Sequence, residues 1–472
     1  MGISPDKHRF NGRLLMLGFG GMGQGVLPLL LRHIDLRPDQ ILVITPDASN
    51  QAAAKAQGLV LLETALTPDN YRAVLEPELH PGDFLLNLSV NVSSLVLIRL
   101  CHARGVLYLD TCIEPWGGGY VDTRLSVAQR SNYALRESIL ALRQELGPGP
   151  TATVTHGANP GLVSHLLKQA LVNLAKDSEL GAATPESREG WAHLAQQLNV
   201  RCIHIAERDT QITATPKVLG EFVNTWSVPG LISEACQPAE LGWGSHETHL
   251  PEDARRHGFG CQAAIYLERP GGATRVHSWT PLCGPQQAFL ISHGESISIA
   301  DYLTLGDPLR PKYRPTVLYA YHPCDLAVLS MHELAGRHWQ PQEVQRLLVD
   351  ELFSGTDALG VLLLGPVRGA YWYGSQLSLE QARALCIHNN ATSLQVAASV
   401  MAAVIWTLQN PDCGILEPDE IPFAPILQLC RPYLGELGGT YSDWTPLKGR
   451  VPLFNEALEP GAPWQFNNFR AF

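Results

Sequence analysis

A chain of 472 residues is too long for one ordinary hydrophobic core, so two or three domains are expected. With 45% hydrophobic and 17% charged residues, the composition excludes a disordered or low-complexity polymer. A net charge of -11 argues against nucleic acid and anionic membrane as partners, because both select basic stripes.

The opening Met1 to Gly12 is polar and lacks a secretory apolar region. Leu14 to Leu17 then forms an apolar run that feeds Gly18-Phe19-Gly20-Gly21-Met22-Gly23-Gln24-Gly25, followed by a second apolar segment from Val26 to Leu31. The spacing Gly18-x-Gly20-x-x-Gly23 is a dinucleotide fingerprint: a tight turn, close backbone approach to a pyrophosphate, and close packing of helix on strand. The helix start offers unpaired N–H groups and partial positive charge to an anion. Pro28 is expected to kink or shorten this helix.

A β-branched run, Gln40 to Thr45, ends at Asp47, about 20 residues or slightly more past the fingerprint, where a carboxylate binds a ribose 2′-hydroxyl. No Arg follows closely, so NAD is expected rather than NADP. Further strands are expected at 83–90, 105–111 and 151–156, with helices at 93–104 and 122–145 between them. Short strands alternating with helices make a doubly wound parallel sheet, and ligands in such sheets sit beyond the strand carboxyl ends. Gly18, Gly20, Gly21, Met22, Gly23, Thr45, Asp47, Asn87, Ser89, Thr111, Thr155 and Ala158 are therefore the expected cofactor-binding positions.

From Asn159-Pro160-Gly161 the texture changes to short strands punctuated by Gly and Pro, including 201–206, 260–268 and 316–321, after a helix over 162–176 and a linker-like 177–189. The expected architecture is a Rossmann-type α/β domain over 1–158 and a second α+β catalytic domain over 159–385. A helix returning to the first domain over 386–420 and an aromatic tail over 421–472 follow. Thr392 or Ser393 is the expected cap of the returning helix, whose apolar stretch from Val396 to Leu408 is too short to span a bilayer. The ten cysteines form no CxxC pair, so no metal cage is indicated and reduced thiols in the cytoplasm are expected.

Four clusters carry chemistry. Glu114, in Asp110-Thr111-Cys112-Ile113-Glu114-Pro115-Trp116, follows a sheet strand and faces the nicotinamide crevice. Glu207-Arg208-Asp209 follows a strand and, taken alone, reads as a solvated turn. Trp226 and Glu234 suit an ammonium guest, the ring by cation–π attraction and the carboxylate by charge-assisted hydrogen bonds. His293, in Ile291-Ser292-His293-Gly294-Glu295, is a candidate to move protons or orient an amine.

Gly18 to Pro28, Asn87-Leu88-Ser89-Val90, Thr111 to Trp116, His156 to Gly161, Asn224-Thr225-Trp226-Ser227, Ile291 to Glu295 and Pro463-Trp464-Gln465-Phe466 together resemble the bacterial homospermidine synthases, within the saccharopine dehydrogenase-like group. The resemblance runs over nearly the whole chain. It implies NAD as a recycled hydride store, condensation of two putrescines to homospermidine with loss of ammonia, and a homodimer, for which the aromatic tail is a further hint. It also implies that Trp226 steers and stabilises the cationic amine or imine and that Glu207 and Glu234 anchor ammonium groups. Glu114 and Asn159 then lie near the nicotinamide, with His293 completing the pocket. Asn91 stands where the family pattern often carries an acid, so a substrate-binding charge is missing there. A proton acceptor is required, either a carboxylate raised by burial or His293. The second hypothesis is a saccharopine- or carboxyspermidine-type dehydrogenase, whose substrate carboxylate needs an Arg fork drawn from Arg208, Arg255 or Arg256.

Overall fold

The computed structural model describes residues 7–46, 51–181, 183–451 and 456–471. Asp47, the expected ribose anchor, lies outside the described residues.

The first sheet is parallel throughout. Its strands are β1 (Leu14–Leu17), β2 (Ile41–Thr45), β3 (Val60–Glu63), β4 (Phe84–Asn87), β5 (Leu107–Asp110) and β6 (Ala152–Thr153), interleaved with α1 (Gly21–His33), α2 (Ser94–Arg104) and α3 (Asn132–Leu146). Spatial order is 3-2-1-4-5-6, with the short strand Ile415–Leu416 added beside β6 from near the end of the chain. This is the double mononucleotide arrangement, and its switch point lies between β1 and β4. Every residue of β1 is buried because both faces of a central parallel strand are covered.

α1 runs thirteen residues through Pro28, which does not shorten it. Proline removes one backbone donor, yet Val26, Leu27, Leu29 and Leu30 are buried on the core side and hold the helix together. The expected helix over 122–145 starts only at Asn132. Ser131 has extended backbone and caps the helix by accepting a hydrogen bond from the Ala134 N–H at 3.2 Å, and the residues before it form 3-10 turns at Gly119–Val121 and Val127–Arg130.

After α4 (Leu162–Asp177), the second unit is an eleven-stranded mixed sheet. It contains β7 (Cys202–Asp209), and α5 (Val228–Cys236) precedes β8 (Pro238–Gly242), β9 (Ala254–Arg256), β10 (Ala264–Pro270), β11 (Arg275–Thr280) and β12 (Gly284–Ile291). Beyond α6 (Gly294–Tyr302) come β13 (Thr316–His322), β14 (Thr356–Leu364) and β15 (Ala370–Ser378). Strand β7 is central, parallel to β13 and antiparallel to β14. It continues through Glu207, Arg208 and Asp209, so these residues are not the solvated turn that their polarity suggests; Glu207 and Asp209 are 2% and 0% exposed.

The returning helix is α7 (Ala391–Gln409), and β16 (Ile415–Leu416) follows it into the first sheet. Its cap is Asn390, whose side chain accepts from the Ser393 N–H at 2.8 Å, not Thr392 or Ser393. α7 touches α1, β5 and β6 on one side and β14 and β15 on the other, so it lies between the two sheets. It is long and apolar enough to cross a bilayer, but 89% of its most apolar window is buried inside the protein. A single apolar cluster, from Leu14 and Val26 through Met401 to Ile203 and Val361, joins both units across it.

The last strands are β17 (Glu436–Ser442), paired with β15, and β18 (Arg470–Ala471), paired with β11. The tail aromatics serve the chain's own core: Phe466 and Phe469 are both 0% exposed, and Arg470 makes a two-pronged ion pair with Asp253 at 2.8 Å.

Candidate active site

A cavity lies beyond the carboxyl ends of β1 and β4. Gly18, Gly20, Gly21, Met22, Gly23, Thr45 and Ser89 line it, as their motif predicts. Gly18 has φ +87°, and a Cβ there would stand 2.8 Å from the Leu88 carbonyl oxygen. A Cβ on Gly20 would meet no atom within 4 Å, and the α1 N-terminus has no side-chain cap. An open backbone approach and uncapped N–H groups are what a pyrophosphate needs. Elements of the second unit close the far side: Leu347 lies so near that a Cβ on Gly21 would be 2.5 Å from its methyl group, and Thr225 to Pro229 and Asn390 also face in.

A second cavity adjoins the first and shares Met22, Ser89 and Trp226 with it. All six expected catalytic residues line it: Glu114, Asn159, Glu207, Trp226, Glu234 and His293. They arrive from five separate places. Glu114 follows β5, Asn159 precedes α4, Glu207 lies on β7, Trp226 and Glu234 flank and occupy α5, and His293 is the N-cap of α6. Thr111, Thr155 and Ala158 line this cavity, not the nucleotide cavity. Asn87 lines neither. It is buried behind the wall, where its amide donates to the Tyr108 hydroxyl (3.2 Å) and its carbonyl accepts from the Ser89 hydroxyl (2.5 Å). Asn91 is exposed at the nucleotide cavity, with φ 64°, a left-handed conformation that Asn tolerates. That turn aims its N–H at Glu114 Oε2, 3.4 Å away, so Asn91 reaches Glu114 through its backbone and not through a charge.

Burial dominates the electrostatics. It raises the Glu114 carboxyl to about 8, against the Asn91 N–H and with help from the Glu234 and Asp110 charges. Burial likewise raises Glu207 to about 8, against hydrogen bonds from the Tyr319 hydroxyl (2.6 Å) and the Asn159 amide (2.9 Å). Asp110, at the base of the loop, is raised to about 6 by burial while accepting from the Thr155 N–H (2.7 Å) and Tyr108 hydroxyl (2.8 Å). His293 behaves oppositely. Burial pushes it toward neutrality, but Glu234 at 3.1 Å on one ring nitrogen and Glu295 at 3.2 Å on the other overcome this and hold it well above its usual value. Glu295 is a hydrogen-bond partner of one ring nitrogen and Glu234 an ion-pair neighbour of the other, an arrangement that favours the protonated ring. Carboxylates outnumber cations in the cavity wall, which favours an ammonium guest.

Tyr319, Tyr321 and Glu295 escaped sequence reasoning. Tyr319 and Tyr321 sit two apart on β13 and share a face; that alternation was the available signal. Arg208 donates to the Pro323 carbonyl (3.4 Å) and to Asp325 (3.3 Å), Arg255 pairs with Glu268 at 2.6 Å, and Arg256 is exposed. None of the three lines the cavity. Its arginine, Arg136, is engaged by Glu417 (2.6 Å) and Asp301 (2.8 Å), leaving no fork for a substrate carboxylate among the described residues.

Residues 14–153 match the saccharopine dehydrogenase NADP binding domain family, and residues 157–442 match the saccharopine dehydrogenase C-terminal domain family. A homospermidine synthase from Blastochloris viridis is 49% identical over 98% of both chains, and one from Mesorhizobium japonicum (strain LMG 29417 / CECT 9101 / MAFF 303099) is 48% identical over 98% of this chain and 97% of its own. The crystal structure of a homospermidine synthase from Legionella pneumophila in complex with NAD superposes with a TM-score of 0.92 at 46% identity, covering 99% of both chains. A saccharopine dehydrogenase from Saccharomyces cerevisiae, at TM-score 0.51 and 13% identity, shares the fold. With full-length identity near one half and a nucleotide cavity opening onto a carboxylate-lined one, the chain belongs to the homospermidine synthase family.

Proposed function

We propose that this enzyme condenses two putrescine molecules into homospermidine with release of ammonia. The observation that carries it is the junction of the two cavities: an anion-binding glycine turn opens directly onto a chamber walled by acids, with Trp226 in both walls. Bound NAD supplies hydride acceptance and return, so that the reaction has no net redox change. Its support is the fingerprint cradle together with the NAD held by the Legionella relative.

The chain's own groups divide the remaining work. Glu234, ion-paired with His293, is suited to hold one ammonium end of the diamine. Trp226 offers its ring face to the cationic centre. Glu114 and Glu207, both near 8, take a proton from the reacting ammonium and return it to the departing amine, because a carboxylate poised near neutrality exchanges protons in both directions. Asn159 fixes Glu207 through its amide. The substrate is drawn in protonated and must lose a proton before it can give up hydride or attack an imine, which is why a raised carboxylate is needed beside the anchoring ones.

Mass spectrometry of products from purified protein, NAD and isotope-labelled putrescine tests this. Labelled homospermidine and ammonia, with little free NADH, are expected; continuing NADH accumulation without a polyamine product would reject it. We place the reaction in the cytoplasm, in keeping with ten unpaired cysteines, and take the enzyme to be a homodimer, which sedimentation equilibrium tests against the 51.6 kDa chain.

A further inference from the structure

The Trp226 indole donates its N–H to the Tyr321 hydroxyl oxygen at 3.0 Å. Tyr321 is 0% exposed and lines neither cavity, so it has no means of touching substrate. Its ring is stacked on Tyr319 (5.2 Å between centroids, 15° between planes), and Tyr319 in turn lies 4.5 Å from the His293 ring. Beneath the indole sits Gly230, where a Cβ would come within 2.9 Å of the Trp226 ring. The indole is thus held from below by a residue without a side chain and at its N–H edge by a fixed phenol.

The surroundings of that phenol are acidic. Tyr321 lies across from Glu207 in the β13–β7 register, and Asp357 lies across from Asp209 in the β7–β14 register. Burial first, and then the neighbouring Glu207, Asp209 and Asp357 carboxyls, keep the phenol neutral. Asp209 is fully engaged, accepting from the Thr225 hydroxyl (2.8 Å) and from the backbone and side chain of Gln211 (2.8 and 3.1 Å), whereas Asp357 Oδ1 is buried without a hydrogen-bond partner. The buried, neutral phenol oxygen is an acceptor held in place for the indole N–H. Hydrogen bonds in series polarise one another, and an indole that donates to such an acceptor gains electron density in its ring. Cation–π attraction is driven by that ring charge distribution.

We propose that Tyr321 is a positioning residue that acts through Trp226, fixing the indole plane and strengthening its negative face for the substrate cation. The proposal rests on Trp226 being the cation-binding ring of the proposed reaction.

The experiment is a double-mutant cycle of Tyr321→Phe and Trp226→Phe, measuring kcat and KM for putrescine with NAD. Tyr321→Phe should lower kcat/KM by about five- to tenfold in the parent and less than about twofold in Trp226→Phe, which has no N–H to donate. NAD retention should stay unchanged, and any fall in melting temperature should be the same with and without putrescine. Where Trp226→Phe turns over too slowly, putrescine affinity by calorimetry completes the same cycle. An equal loss in both backgrounds would overturn the proposal while leaving the proposed reaction intact. No product from the parent protein would remove the reaction and the proposal together. Should Tyr321→Phe fail to fold, the ultraviolet resonance Raman difference between the parent and Trp226→Phe decides. A strongly hydrogen-bonded indole N–H signature is expected, and a free one would refute the coupling.

Discussion

Glu114 shows how much a single buried side chain constrains this enzyme. Its carboxyl rises from an ordinary 4.5 to about 8 on folding, so between those values the unfolded chain has released a proton that the native chain keeps. Stability from this group therefore declines as pH climbs from about 4.5 to about 8. Glu114→Gln should melt higher than the parent near about pH 9 and match it near about pH 4, which calorimetry at the two pH values checks. The same variant should lose product formation by about 10²-fold or more while still binding NAD, as expected for a lost proton-transfer group. Glu207 lies close to further buried carboxylates and titrates with them, so the rise of kcat/KM with pH toward about 8 reports the group of acids and not one residue. Glu207→Gln should flatten that rise. Glu114, Trp226 and Glu234 were legible as residues, because acids and an aromatic next to strand and helix ends are unusual, whereas Glu207 was reached only through the family resemblance. Their pKa shifts were not legible, because burial depends on what packs over them from other parts of the chain.

At the scale of elements, the glycine turn separates folding from binding. A Cβ at Gly23 would stand 2.6 Å from the Gly18 carbonyl oxygen, whereas one at Gly20 would occupy open space. Gly23→Ala should therefore lower the melting temperature. Gly20→Ala should melt as the parent does yet lose NAD affinity by about tenfold or more, since the added methyl group projects where the pyrophosphate approaches. Thermal melts with and without NAD distinguish the two. Asn390, which caps α7, makes a similar point. Asn390→Ala should cost about 1 kcal/mol of helix stability, read as a lower denaturant midpoint. Its side-chain amide also donates to the Leu348 carbonyl at 3.1 Å, so the loss extends to the wall of the nucleotide cavity. The helix itself was legible from its apolar run. Its cap was assigned two or three residues late, because Asn390, Thr392 and Ser393 are all good caps and only the backbone at Asn390 is extended.

At the scale of the molecule, the two units are not independent bodies. α7 lies between the sheets, β16 completes the first sheet from beyond residue 410, and the tail returns to β11. Ending the chain after residue 455 removes Phe466 and Phe469, each fully buried, and the Arg470–Asp253 pair. Losing a buried Phe typically costs about 3–5 kcal/mol, so the truncated protein should be largely unfolded or insoluble, as circular dichroism and solubility would show. The primary structure by itself determined the glycine fingerprint, the alternation of strands and helices, and the residue types of an amine site, because these depend on local spacing and side-chain chemistry. Tertiary structure alone decided that Glu207 and Asp209 belong to a central strand and that His293 lies between two glutamates. It also decided that Asn91 turns its backbone N–H to Glu114, that Tyr319 lines the second cavity beside Glu207, and that Tyr321 stands behind it. Each of those outcomes depends on groups distant in the chain being brought within about 3 Å of one another, where burial and charge, rather than propensity, set the chemistry.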